Sequence, residues 1–168
     1  MSLKERLDDD LLEEYDGEDE DTQEDKFLTF VLNNEEYGIE IRYVTEIIGI
    51  QNITEVPDMP PYIKGVINLR GKIIPVMDVR LRFGVEERPY DDRTCIVVIN
   101  IDDHLVGMIV DRVSEVLDIS KSEVEPPPKV RRGESSRFIQ GMGKVGDRVK
   151  ILLNANKLLF DSDKEEDQ

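Results

Sequence analysis

The chain has 168 residues, which is enough for one ordinary domain or two small subdomains with a shared core, but not for a large multidomain enzyme. Its 38 acidic and 22 basic residues give a formal net charge of −16, which disfavours a nucleic-acid partner or an anionic membrane surface. One cysteine excludes an internal disulfide, and no apolar run is long enough for a signal peptide or a membrane span, so the sequence predicts a cytoplasmic protein.

Most of the negative charge lies at the two ends of the chain. Residues 1–25 contain thirteen acidic and two basic residues, and residues 161–168 contain five acidic and one basic residue. The remaining segment, 26–160, is therefore nearly neutral. Because a self-repelling segment with little apolar surface cannot build a core, both ends are predicted to be acidic tails, the first of them disordered. Leucines at helical spacing in the first tail also allow a short helix formed on a partner.

From Lys26 the pattern becomes that of β-strands. The run FLTFVL, a turn at Asn33 and Asn34, and the alternating segment 37–42 predict a hairpin with one buried face. The next apolar residues stand at i, i+3 and i+4, which predicts one or two helical turns: Val44, Ile47 and Ile48. A loop rich in proline follows, and then an apolar segment, 63–79, within which a turn is predicted at 70–72.

The second half of the chain repeats this order. Aligning Gly107 with Gly38 sets an offset of 69 residues, and after a longer loop the alignment of Gly141 with Gly65 sets an offset of 76. Turn, glycine and proline positions agree as well as the apolar ones. The duplication predicts an all-β fold with short helices, in which two similar β-barrels pack with approximate two-fold symmetry. Subdomain 1 would span about 26–88 and subdomain 2 about 89–160, with an exchange of terminal strands left open.

The residues offer no convincing catalytic, metal or cofactor site. His104 is the only histidine and is expected to be structural or solvent-facing, while Cys95 opens the apolar run CIVVI and is expected to be buried. These observations favour a non-enzymatic binding protein without a cofactor. One basic cluster lies on the inserted loop: Lys129, Arg131, Arg132 and Arg137. It is either a solvated loop or a contact for an acidic partner or for the chain's own tail.

Arg70 is the clearest difference between the two copies. Its counterpart is Gly146, so the fold itself does not require a long cation at this position. An arginine beside a turn glycine, preceded by Asn68 and Leu69, can present five donors to a carboxylate or to helix carbonyls of another protein. A salt bridge to a local acid such as Glu46 is the structural alternative. The asymmetry between the copies favours a binding role for Arg70.

The chain resembles the CheW family of bacterial chemotaxis coupling proteins over about 26–160. The resemblance rests on EEYGIEI, VTEII, VPDMPPYIKGVINLRGKIIPVMDVR, GMIVDRVSEVL and FIQGMGKVGDRVKILLN. It implies two five-stranded SH3-like β-barrels and a non-catalytic adaptor. The expected partners are the regulatory domain of the histidine kinase CheA and the cytoplasmic tip of methyl-accepting chemoreceptors, with membrane contact only through the receptors. A CheW-like regulatory module of another two-component system is the alternative.

The resemblance also implies a receptor-facing groove. Carried over position by position, it would include Arg70 with Asn68 and Leu69 in NLRG, and five further residues: Val44, Glu46, Gly65, Val113 and Val116. The glycines Gly107 and Gly141 match the family pattern too, but they are expected to be structural because they admit close strand contacts that a side chain would block.

Overall fold

A computed structural model describes residues 24–128 and 134–161 of the chain, without the side chains of residues 134 and 135. Within these ranges the strands are β1 Lys26–Leu32, β2 Glu35–Glu40, β3 Val44–Gly49, β4 Ile63–Leu69, β5 Lys72–Asp78, β6 Cys95–Ile101, β7 His104–Val110, β8 Arg112–Asp118, β9 Val124–Glu125, β10 Ile139–Val145 and β11 Arg148–Leu153. Two short α-helices, α1 Val79–Arg82 and α2 Ala155–Phe160, follow β5 and β11. The predictions for 1–23, for 162–168 and for three of the four basic loop residues lie outside the described residues.

The strands form two sheets, which confirms the predicted all-β architecture. One sheet has the order β8-β1-β2-β11-β10-β9 and the other has the order β3-β6-β7-β5-β4. Each sheet combines strands from both halves of the sequence, so the boundary at 88/89 separates the two copies of the pattern but not the two sheets. The first sheet has one strand more than five because the two-residue β9 pairs with β10.

The sequence duplication is repeated element by element in the structure. Exchanging each strand for its counterpart in the other copy converts the five-strand order β3-β6-β7-β5-β4 into β8-β1-β2-β11-β10, as approximate two-fold symmetry requires. Both helices have a capping side chain at matching positions. Asp78 accepts a hydrogen bond from the Arg80 N–H at 3.0 Å, and Asn154 accepts one from the Lys157 N–H at 2.9 Å.

The helical turns predicted around Val44 are wrong, because this segment is strand β3. A short 3-10 turn at Ile41–Tyr43 precedes it. In the pairing with β6, Val44 lies opposite Ile99 and Glu46 opposite Val98, so one residue is bulged out between them. The bulge turns Val44 and Ile47 to the same buried side, which reproduces helical spacing in an extended chain. The β-branched composition VTEII favours the strand.

Three apolar clusters explain why so many strand residues are apolar on both faces. The largest cluster takes residues from both sheets, including Phe30 of β1 and Val97 of β6, and is the shared core between the two subdomains. A second cluster fills the five-stranded unit and includes Ile96 and Val98, and a third lies within the six-stranded unit. Successive residues of β6 therefore alternate between two buried environments, which accounts for its continuous apolar sequence.

Arg82 connects the first sequence half to the C-terminal helix. Its guanidinium is buried, and Nε donates to the carbonyl oxygen of Leu158 at 2.8 Å while a terminal nitrogen donates to that of Asp161 at 2.6 Å. It also lies 4.3 Å from the ring centre of Tyr62 and 4.6 Å from that of Phe138. The arginine thus satisfies carbonyl groups at the end of α2 that the helix leaves without partners.

A second buried arginine joins the two sheets. Arg80 in α1 makes two parallel hydrogen bonds of 2.9 Å to Asp111, which follows β7. Asp111 also accepts the backbone N–H of Asn33 in the β1–β2 turn at 3.0 Å. Burial raises the pKa of Asp111, but the hydrogen bonds from Arg80 and Asn33 outweigh it and hold the pKa below its ordinary value. The aspartate is therefore ionised at neutral pH and fixes the sheet junction.

Candidate functional site

Arg70 and Gly71 form the tight turn between β4 and β5. Leu69 pairs with Lys72 across the two-residue turn, and Arg70 and Gly71 both have positive φ, 50° and 90°. Positive φ at both central residues is the signature of a type I′ turn, which matches the twist of the flanking strands. The side-chain oxygen of Asn68 accepts the Gly71 N–H at 2.8 Å and closes the turn.

The corresponding turn of the second copy shows that an arginine here has a conformational cost. Gly146 occupies the matching position with a φ of 63°. Glycine enters this region freely, whereas an L-residue with a side chain loses about 1 to 2 kcal/mol. The first copy therefore carries a long cation at a position where the backbone favours glycine.

The Arg70 side chain projects beside the strand that carries Glu46. The two form an ion pair between a 69% exposed arginine and an 18% exposed glutamate, and it links β3 and the end of β4, the two edge strands of the five-stranded sheet. An exposed ion pair of this kind contributes little to stability. It holds the glutamate beside the turn and leaves most of the guanidinium accessible to a partner.

A groove of about 310 Å³ begins at this ion pair. It is lined by residues of five strands and of the turn: Thr45, Glu46, Leu69, Arg70, Lys72, Val98, Asn100 and Leu105. Arg70 and Lys72 provide cations at its border, while the half-buried Leu105 provides apolar surface above the buried Leu69. The arrangement suits a partner segment with one apolar face and nearby acidic or carbonyl groups.

Three of the predicted site residues line this groove, namely Glu46, Leu69 and Arg70, and the side chain of a fourth, Asn68, closes the adjacent turn. Val44 lies on the same strand as Glu46 but is 8% exposed and belongs to the shared core. The structure thus places Val44 below the surface that carries Arg70, and its contribution to a site is to position β3.

Gly65 is buried within β4, away from the turn. Its φ is 148°, and a Cβ atom at this position would lie 2.1 Å from the carbonyl oxygen of Thr54. Thr54 forms reciprocal backbone hydrogen bonds of 2.9 Å with Val66. The missing side chain is therefore what allows the preceding loop to lie against β4.

Val113 and Val116 lie on β8 in the other sheet. They pair with Phe30 and Leu28 of β1 and pack, partly buried, against the shared core. Neither residue lines the groove at Arg70. The structure therefore separates the predicted residues into a group at the β4–β5 turn and a group on the edge strand that corresponds to β3 in the second copy.

Five groove residues were not identified from the sequence, and one of them, Val98 of β6, is itself fully buried. Thr45 and Lys72 flank predicted site residues, so their position in the chain was a usable signal. Asn100 and Leu105 belong to β6 and β7, and only the mixing of the two sequence halves within one sheet brings them beside Arg70.

The remaining candidates lie outside the groove. His104 begins β7, is exposed, and meets the Phe160 ring edge-on at 6.0 Å between ring centres. Cys95 is buried, as predicted.

Burial raises the pKa of Asp78 and of Tyr90, whose hydroxyl donates to Asp78 at 2.8 Å, and neither residue lines the groove. Close strand contacts at Gly107 and Gly141 are confirmed, since a Cβ would meet side chains at 2.7 and 2.6 Å.

Comparison with known proteins places the fold in a family. The model of the CheW-like domain matches residues 26–163. The chain belongs to the CheW family. The chemotaxis protein CheW of Klebsiella aerogenes is 40% identical over 134 residues, covering 80% of this chain and 81% of that protein. CheW of Bacillus subtilis is 37% identical over 144 residues, with coverages of 86% and 90%.

A solved structure of the family has the same fold. The scaffolding protein TtCheW from Thermoanaerobacter tengcongensis matches with a TM-score of 0.75 and 37% identity, and the match covers 83% of this chain and 94% of that one. The helices in the described ranges of this CheW family member are all too short or too polar to span a membrane.

Proposed function

We propose that this chain is a non-catalytic chemotaxis adaptor that couples methyl-accepting chemoreceptors to the histidine kinase CheA and so controls kinase activity in a signalling array. It acts in the cytoplasm, binds the regulatory domain of CheA and the cytoplasmic tip of the receptors, and reaches the membrane only through the receptors. Family membership supports the adaptor role. The observation that carries the receptor assignment is an accessible arginine held in a backbone conformation that favours glycine.

The groove beside Arg70 suits a helical partner. A helix docks through one apolar face, for which the groove provides the accessible part of Leu105. The guanidinium of Arg70 can then donate to a carboxylate or to free carbonyl groups on the docked helix. Glu46 is already ion-paired and orients the arginine, so binding does not have to organise a freely rotating side chain.

Replacing Arg70 with glycine is expected to weaken binding of a receptor cytoplasmic fragment by about 1 to 3 kcal/mol, roughly 5- to 150-fold in Kd. Because Gly146 occupies the same turn position in the second copy, the free energy of unfolding should stay within about 1 kcal/mol of the wild type. Isothermal titration calorimetry with the receptor fragment measures the first quantity, and urea unfolding measures the second.

The matched control is Arg42→Gly, which removes another exposed arginine that pairs with a nearby glutamate, Glu40. Receptor binding should be unchanged in this variant. Unaltered receptor affinity in the Arg70→Gly protein would contradict the assignment of the groove, and a large loss of stability would show that Arg70 is structural. Binding of a different kinase regulatory domain, with none to CheA, would favour a regulatory module of another two-component system.

A further inference from the structure

A second cavity of the described surface is lined by arginines. It has a volume of about 360 Å³, and four arginines contribute to its wall: Arg88, Arg93, Arg112 and Arg148. They come from the loop before β6, from the start of β8 and from the start of β11. None of them lines the groove at Arg70, so this cavity is a separate feature of the surface.

The acidic groups of the cavity neutralise these arginines only in part, since Arg88 contacts Asp91 and Asp111 but Arg93 and Arg112 pair with neither. Each acidic group already has a cationic partner: Asp111 with Arg80, Glu36 with Lys150, and Asp91 with Arg88. Arg80 and Lys150 are buried behind the wall. Cations therefore outnumber anions around the cavity by six to three, on a folded segment that is otherwise nearly neutral.

Arg93 and Arg112 are the cavity arginines most available to a ligand. Both are exposed, and the guanidinium of neither makes a hydrogen bond or an ion pair with any residue in the described part of the chain. Among the described residues, Arg148 contacts one carboxylate, at 3.6 Å, and this carboxylate of Glu36 is already shared with Lys150. Two planar guanidinium groups at one cavity, without carboxylate partners among the described residues, can bind a carboxylate-rich segment.

We propose that this arginine cavity binds the acidic N-terminal segment of the same chain, residues 8–20. That segment contains nine acidic residues and no basic ones. The chain enters β1 at Lys26, and Val31 of the same strand lines the cavity, about 17 Å further along. About six extended residues span this distance, so the segment can reach the arginines. Tethering gives it an effective concentration in the mM range, above that of a free acidic peptide. The inference does not depend on the receptor assignment.

The test uses the full chain with a spin label in the acidic segment. Gly17→Cys introduces the label site without changing charge, in a Cys95→Ala background. At low ionic strength the label should broaden the backbone amide signals of Asn34, Arg93 and Arg112 in NMR spectra. Salt at about 0.5 M should reverse the broadening, because it screens exposed charges over a few ångströms. The broadening should not change on dilution, as an intramolecular contact requires.

Two variants distinguish a specific site from general charge attraction. Arg93→Gln with Arg112→Gln should reduce the broadening at Asn34 several-fold. Arg42→Gln with Lys144→Gln removes the same charge at sites that are 52% and 53% exposed, and should leave it unchanged. No broadening at the cavity, equal losses in both variants, or broadening that grows with protein concentration would overturn the proposal. The last result would place the segment on a second copy of the chain.

Discussion

Replacing Arg82 with alanine is expected to lower the free energy of unfolding by about 3 to 5 kcal/mol. The buried guanidinium donates to the carbonyl oxygens of Leu158 and Asp161 and lies between the rings of Tyr62 and Phe138. Its removal leaves buried carbonyl groups without donors and opens a cavity in the shared core, so the transfer and hydrogen-bond losses act together. Urea unfolding followed by circular dichroism measures the change.

Arg42→Ala is the control for this loss. Arg42 also lies over an aromatic ring, 4.7 Å from the centre of Tyr43, but it is 52% exposed. Its replacement should cost no more than about 1 kcal/mol. If Arg82→Ala also lowered the free energy of unfolding by less than about 1 kcal/mol, the contacts of Arg82 with the end of α2 would not stabilise the fold.

The second large effect is expected at the sheet junction. Asp111→Asn should destabilise the fold by about 3 kcal/mol or more, because it leaves the buried guanidinium of Arg80 without a counter-charge. Adding Arg80→Met to this variant should recover part of the loss, since the uncompensated charge is removed. Thermal or urea unfolding of the two single variants and the double variant measures the coupling. A loss of stability in the double variant equal to the sum of the two single losses would contradict a direct pairing of Arg80 with Asp111.

The same pair predicts a pH dependence of stability. The pKa of Asp111 is lower in the folded protein than in the unfolded chain, so the folded state favours the ionised form. Its contribution is therefore present above the unfolded pKa of about 4 and is lost as the pH falls through the folded value. The wild type should consequently lose more stability than Asp111→Asn between neutral pH and acid.

The sequence predicted the structure best where the two copies of the pattern could be compared position by position. Matching the glycines at 38 and 107 predicted the two hairpins, and the Arg70–Gly146 difference directed attention to the turn that the structure places beside Glu46. Local spacing failed at Val44, because a β-bulge in an extended strand produces the same apolar intervals as a helix.

The burial of Arg80 and Arg82 and their partners could not be predicted from the sequence, for a physical reason. Arg80 pairs with a residue 31 positions away, and Arg82 meets carbonyl groups more than 70 positions away. Nothing near either residue in the chain indicates such a partner, and arginine is ordinarily a surface residue. The same limit applies to the groove residues Asn100 and Leu105, which reach Arg70 only through the mixed strand order.

Simultaneous binding of both partners tests the adaptor role most directly. The full chain can be mixed with a CheA regulatory domain and a receptor cytoplasmic fragment from the same organism, and the complexes resolved by analytical ultracentrifugation. The adaptor role predicts one species that contains all three components. With the Arg70→Gly variant, the receptor fragment alone should be missing from this species. Binding of neither partner, or strict competition between them for the chain, would contradict the proposed coupling.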